Sequence, residues 1–303
     1  MSARLKQAAA AVLLVAGCGL AAAQDAGKAL GGLLRSINPG GLLNNLPAAA
    51  PPAAGSANTS ELLKLLGDSV DTIDEARELQ IGRELAALLV GSKPLHADAG
   101  LQRYVNRLGR WISLQGSRPN LPWTFAVLDD PGFNAFAAPG GYVFVTRGLV
   151  DSVDEAELAG ILAHEILHVN QRHHLQALAA AARSGLATQA LASQLRGSAA
   201  NALSAQVLAL GRNLYARGLD RGDEFEADRE GVALAARAGF DPYGLPSVLQ
   251  QLRTAKADDP LFALAIGTHP PAQQRLEALE LAMGSRLDAL AGKPSVPIAQ
   301  RLR

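Results

Sequence analysis

Apolar residues recur at helical spacing from Leu62 to Leu89 with charges between them, and again from Ala99 to Leu114, so both segments are predicted to be amphipathic helices. The rhythm then changes. Thr124-Phe125-Ala126-Val127-Leu128 and Tyr142-Val143-Phe144-Val145-Thr146 are β-branched and aromatic runs, set off by the turn residues Asp129-Asp130-Pro131-Gly132 and Ala138-Pro139-Gly140-Gly141. They predict a small antiparallel β-sheet. Helical spacing returns with Leu158, Ile161, Leu162, Ile166 and Val169, in a helix expected from about Val153 to beyond Leu178, with Ser152 as N-cap and Glu155 completing a capping box. The alanine- and leucine-rich stretch from Ala177 to Leu210 is interrupted by Arg183 and Arg196, which argues for packed or amphipathic helices rather than a membrane span, serving as buried scaffold or as a cover over a cleft. Another helix opens near Asp223, runs towards Gly239 and stops at Asp241-Pro242. The expected fold class is α+β, mostly α-helical, with the sheet ahead of the long helix.

The start of the chain has a different character. Arg4 and Lys6 precede an apolar run from Ala8 to Gly17, too short to span a membrane and typical of a secretory signal. Val15-Ala16-Gly17-Cys18 resembles a bacterial lipobox, which would leave Cys18 as a lipidated first residue; Ala21-Ala22-Ala23 resembles an ordinary signal-peptidase site. Residues 1–23 are thus expected to be a signal peptide, 24–59 an Ala/Pro/Gly-rich flexible tether, 60–290 a compact domain and 291–303 a tail. Either processing route exports the chain to the periplasm, soluble or tethered to the outer membrane as a lipoprotein, with no transmembrane span in the mature chain. Twenty-eight basic residues balance 28 acidic ones, so charge favours neither nucleic acid nor a strongly acidic partner. Cys18 is the sole cysteine, which leaves the domain without disulfides or a nucleophilic thiol, and no G-x-S-x-G elbow is present.

The chemistry concentrates in His164-Glu165-Ile166-Leu167-His168. On a helix, residues four apart lie about 6 Å apart on one face, so both imidazoles can reach one tetrahedral Zn2+. Glu165 projects about 100° round the helix, where it can take a proton from a water that the ion has acidified. A catalytic zinc needs a third protein ligand, and spacing offers two sources. His174 stands where an elongated H-E-x-x-H-x-x-G-x-x-H pattern would put it, but Gln171 replaces the glycine that must break the helix, so His174 is expected at the helix surface. The second source is Asp223-Glu224-Phe225-Glu226-Ala227-Asp228, in which Glu224 and Asp228 share a helix face. There a glutamate could complete the set while the aspartate accepts a ring N–H from a ligand histidine.

Taken together these pieces resemble the M48 family of zinc metallopeptidases, the group of CAAX-processing and periplasmic quality-control proteases. The resemblance rests on Asn134-Ala135-Phe136-Ala137 with Pro139-Gly140-Gly141, His164-Glu165-x-x-His168 with Arg172-His173, Glu224-x-Glu226-Ala227-Asp228, Ala238-Gly239-Phe240-Asp241-Pro242 and His269-Pro270-Pro271. It implies a zincin-like domain with one zinc held by His164, His168 and Glu224, Glu165 as the base and Asp228 behind the ligands. Asn134, Ala135, Phe136 and Ala137 would bind an extended peptide along the edge strand. His269, on a loop fixed by the prolines after it, would contact substrate or the transition-state oxyanion, or fill the open zinc position. Glu226 is expected to face solvent, Arg221 to be a surface charge and His96 to lie on the surface.

The expected activity is zinc-dependent hydrolysis of peptide bonds, on misfolded or unassembled envelope proteins by family analogy. A chaperone-like polypeptide binder with a resting zinc site is the alternative. A purely structural zinc is disfavoured, since such sites usually fill all four positions, often with cysteines.

Overall fold

The computed structural model describes residues 73–181, 217–256 and 258–292. The expected leader, the tether and most of the alanine- and leucine-rich stretch lie outside the described residues.

Helix α1 (Glu75–Ser92) starts where the Asp74 carboxylate accepts the Arg77 N–H, and α2 (Ala99–Ser113) starts on the matching cap of Asp98. Between α2 and the next helices run β1 (Thr124–Leu128), β2 (Ala135–Ala138) and β3 (Tyr142–Thr146). Every strand residue is buried, because helices cover both faces of the sheet. Phe125, Val127, Ala137, Val143 and Val145 point towards Val105, Leu108 and Ile112 of α2. Their alternates Ala126, Leu128, Phe136 and Phe144 point towards Ile81, Leu85 and Leu89 of α1.

The sheet is mixed rather than antiparallel. Its order is β1-β3-β2, with β1 parallel to β3 and β2 antiparallel to β3. Ala135–Ala138, a four-residue run with no β-branched residue and only Phe136 as a strand former, forms a hairpin with β3 through Gly140 and Gly141 at φ 77° and 97°. That extra reversal is what makes the two expected strands, Thr124–Leu128 and Tyr142–Thr146, run the same way.

After the short α3 (Arg147–Ser152) comes α4 (Glu155–Asn170), which carries the histidine motif. Its capping box uses Asp154 and Glu157, not Ser152 and Glu155: Ser152 closes α3, its hydroxyl donating to the Gly148 carbonyl at 2.6 Å. Nor does α4 continue past Leu178. It stops at Gln171, Arg172 takes φ 60°, and helix resumes over residues 173–181 at a new angle. Helices α5 (Arg221–Arg237), α6 (Gly244–Thr254), α7 (Ala263–Thr268) and α8 (Ala272–Met283) complete the domain, with a 3-10 turn at Asp288–Leu290. Among the described residues, no helix is long and apolar enough to cross a membrane.

One buried carboxylate ties three of these pieces together. Glu78 of α1 accepts both guanidinium nitrogens of Arg118 at 2.8 and 2.9 Å, the Arg172 Nε at 2.8 Å and the Gly140 N–H at 3.1 Å. Burial would raise its pKa, but the two arginines override that and hold it below the usual carboxylate value. Glu78→Gln should destabilise the domain by about 3 kcal/mol at neutral pH, since two cations lose their partner. A depressed carboxylate contributes fully above its unfolded pKa and loses its contribution as pH falls through the folded one. The gap between wild type and variant in urea melts should therefore close below about pH 4; a gap unchanged at acid pH would contradict the assignment.

Candidate metal centre and catalytic site

The site is assembled where α4 and α5 meet. Glu224, Asp228 and Gly231 fall on one face of α5, and a Cβ at Gly231 would come 3.1 Å from the His164 backbone N and Cα. The missing side chain lets α5 approach α4 closely enough for its two carboxylates to reach the histidines. All five groups, His164, Glu165, His168, Glu224 and Asp228, are buried.

The donor atoms converge. His164 Nε2 lies 3.0 Å from His168 Nε2, and the Glu224 carboxylate lies 3.7 Å from the first and 3.6 Å from the second. Four donors around zinc at bonds of about 2.0–2.1 Å are separated by roughly 3.4 Å, so this triangle has the size of one face of such a tetrahedron. The far ring nitrogens face other groups. His164 Nδ1 is 3.0 Å from Asp228 Oδ1, and His168 Nδ1 is 3.0 Å from His173 Nδ1. In the tautomers that place the protons on Nδ1, two Nε2 lone pairs and a carboxylate face each other in a buried site. Glu224 Oε2 itself has no hydrogen-bond partner. A buried anion facing two lone pairs is unfavourable without a cation between them, and two nitrogens and a carboxylate oxygen suit zinc. The three residues fit the metal expected from the sequence.

Charge around the triangle is arranged in layers. Arg275 of α8 donates to both oxygens of Asp228, at 2.8 and 2.5 Å, and its Nη1 is 3.8 Å from Glu224 Oε2. Burial pushes against ionisation of Asp228, yet Arg275 and His164 hold it well below the usual carboxylate range. Burial and the surrounding imidazoles push His168 strongly towards its neutral, ligand-competent form. Glu165 has no such cation in contact, and burial raises it to about 7, the range suited to taking and returning a proton. A cation bound beside it would pull that value down.

Two cavities flank Glu165. One has Asn134, Ala135, Phe136 and Ala137 on its wall together with His168, Glu224 and His269. The other has a largely apolar wall that includes Leu149, Ile161, Val248 and Leu252. Asn134 borders both cavities, and its buried Nδ2 donor has no partner. Its backbone is fixed by Thr146, whose hydroxyl accepts the Asn134 N–H and whose N–H donates to the Asn134 carbonyl. His269 caps α7 with Nδ1 3.1 Å from the Ala265 carbonyl and 3.0 Å from the Thr268 hydroxyl, leaving Nε2 3.9 Å from Glu224 Oε2. Since the carbonyl only accepts and the hydroxyl proton is directed to the Leu264 carbonyl, Nδ1 carries the ring proton and neutral His269 turns a lone pair to the centre.

Several expectations need correcting. His174 is not at the surface: the turn at Arg172 folds it back, and its ring packs 5.4 Å from that of His168. It does not join the convergent donors, which are His164, His168 and Glu224, with a second grouping of His164, Glu165 and His269. Glu226 is only partly exposed and lies 3.8 Å from His173 Nε2. His96 is half-buried beside Asp129, whereas Arg221 is exposed as expected. Two residues of the site were not foreseen. Arg275 stands in an ordinary amphipathic helix that gave no signal, while the seven-residue offset of Gly231 from Glu224 was a signal of close helix packing.

Comparison with known proteins points the same way. The sequence model described as Peptidase family M48 matches residues 96–282. The chain is 34% identical over 245 residues to a putative beta-barrel assembly-enhancing protease of Vibrio cholerae, covering 75% of this chain and 49% of the relative. It is 32% identical over 238 residues to the beta-barrel assembly-enhancing protease of Escherichia coli, covering 75% and 47%. The mitochondrial metalloendopeptidase OMA1 of Schizosaccharomyces pombe is 33% identical over 180 residues, covering 58% and 51%. The chain thus spans about half the length of these relatives.

The close approach at Gly231 can be tested directly. Gly231→Val should separate α5 from α4 and weaken zinc binding about tenfold or more in a chelator competition, with the helical circular dichroism retained. Binding as tight as wild type would contradict the packing argument.

Proposed function

Because the chain belongs to peptidase family M48, whose members are metallopeptidases, we propose that it is a zinc endopeptidase of the bacterial cell envelope acting on misfolded or unassembled envelope polypeptides. The observation that carries the reading is the buried donor triangle of His164, His168 and Glu224 with Glu165 beside it and a cavity on either side. The envelope assignment is supported by the secretory character of residues 1–23 and by the names of the bacterial relatives.

Zinc held by His164, His168 and Glu224 would polarise the scissile carbonyl and acidify the attacking water. Glu165 accepts the proton as water's oxygen bonds to the carbonyl carbon, then returns it to the amine as the C–N bond breaks. Asp228, fixed by Arg275, keeps the His164 proton on Nδ1 so that Nε2 stays a donor. Asn134 Nδ2 is available to a substrate carbonyl, and β2 forms the wall along which an extended peptide would run. His269, pushed towards its neutral form by burial, turns Nε2 to the centre, where it would either contact substrate or the oxyanion or fill the open metal position.

The apolar cavity narrows the substrate. Its Leu, Ile and Val lining suits an apolar side chain next to the scissile bond. Sequencing the products of a casein digest should show aliphatic or aromatic residues enriched on one side of the cut, and Val248→Phe, which narrows the cavity, should shift that preference to smaller residues. A flat profile in both would contradict the subsite. In the same assay Glu165→Gln should lose about 10²–10⁴-fold in rate while retaining zinc, and chelation should abolish wild-type cleavage until zinc is returned. A variant that cuts like wild type would remove Glu165 from the chemistry.

A further inference from the structure

Arg172 is the one non-glycine residue among the described residues with positive φ, at 60°. Such a conformation costs roughly 1 kcal/mol or more for a residue with a Cβ, so it persists only where the surroundings enforce it. Here the enforcement is visible. The Arg172 guanidinium donates to Glu78 Oε2 at 2.8 Å and to the Ile73 carbonyl at 2.7 Å, and Glu78 is completely buried. The turn ends α4 and sets the His173 ring against His168 of the helix it has just left. There His173 Nδ1 is 3.0 Å from His168 Nδ1, while its Nε2 faces Asp223 Oδ1 and Glu226 Oε2, both at 3.8 Å from α5.

We propose that His173 is the positioning residue for His168, and that the left-handed turn at Arg172, locked by Glu78, exists to deliver it. The inference rests on the reading of His168 as a metal ligand through Nε2. In that state the only ring proton of neutral His168 is on Nδ1, and it is donated to His173 Nδ1. His173 then carries its own proton on Nε2, directed at the two carboxylates. The order of protons is thereby fixed along the whole chain from the metal to Asp223 and Glu226. His164 has the corresponding support from Asp228 and Arg275. The two histidines of the motif are thus held by different devices, a carboxylate with an arginine for one and a neutral imidazole for the other. Outer partners of this kind typically contribute about 10- to 100-fold to metal affinity.

The test uses the full chain and zinc itself. In the zinc-loaded wild type with ¹⁵N-labelled histidine, NMR should find the His168 proton on Nδ1 and the His173 proton on Nε2; a His173 proton on Nδ1 would overturn the proposal. In chelator competition His173→Phe, which keeps a ring but no acceptor, should raise the zinc Kd about 10- to 100-fold. His173→Asn, which restores an acceptor oxygen near the Nδ1 position, should recover most of the loss. Arg172→Gly keeps the turn without strain and should bind zinc more tightly than Arg172→Ala. Metal-free thermal melts of each variant show whether the domain is folded, and the wild-type tautomers decide the question even where a variant is not. If wild type fails to bind zinc, the metalloprotease reading itself falls. If wild type binds and both His173 variants bind within threefold of it, only the positioning role falls.

Discussion

Everything in the centre depends on two helices touching at a glycine. The approach of α5 to α4 at Gly231 and His164 is what brings an acidic face within reach of two imidazoles. Without a Cβ there, the helix carrying Glu224 and Asp228 can lie against the backbone of the helix carrying the histidines. The result is a set of buried polar groups that would be costly if left unmatched. Asp228 is matched by Arg275 and His164, His168 by His173, and the remaining lone pairs converge where a cation would sit.

The rest of the fold keeps that geometry fixed while leaving access to it. The mixed sheet is buried on both faces by α1 and α2, and its outer strand β2 forms a wall of the cavity beside Glu165. Glu78 connects this sheet to the end of the helix carrying His164 and His168 through Gly140 on one side and Arg172 on the other. A single buried carboxylate therefore sets the relation between the wall that would hold a peptide and the helix that would cut it. The apolar cavity beside Glu165 draws on α3, α4 and α6, so the subsite proposed there would share its helix with the chemistry.

How much of this could be read from the sequence follows from the range of each interaction. His164 and His168, and separately Glu224 and Asp228, stood out as candidates because each pair's spacing is local to its own helix, and the structure brings the two pairs together. The order of strands was not, because Ala135–Ala138 carries no β-branched residue and becomes a strand only by pairing with β3. The helix break at Arg172 was also hidden. No glycine or proline marks it, and the force that imposes it comes from Glu78, 94 residues earlier in the chain. His174 was misplaced for the same reason, and Glu226 acquired a neighbour, His173, that a straight helix would have carried away from it.

The function proposed for this fold stands or falls on whether two imidazoles and one carboxylate from α4 and α5 hold a single zinc. X-ray absorption at the zinc edge on the purified chain, with metal content measured in parallel, reads that coordination shell. It should find one zinc per chain bound only by nitrogen and oxygen at about 2.0–2.1 Å, with an imidazole signature of two rings or, with His269 engaged, three. Glu224→Ala should lose an oxygen neighbour. A metal-free chain, a sulfur ligand, or an unchanged coordination shell in the Glu224 variant would contradict it.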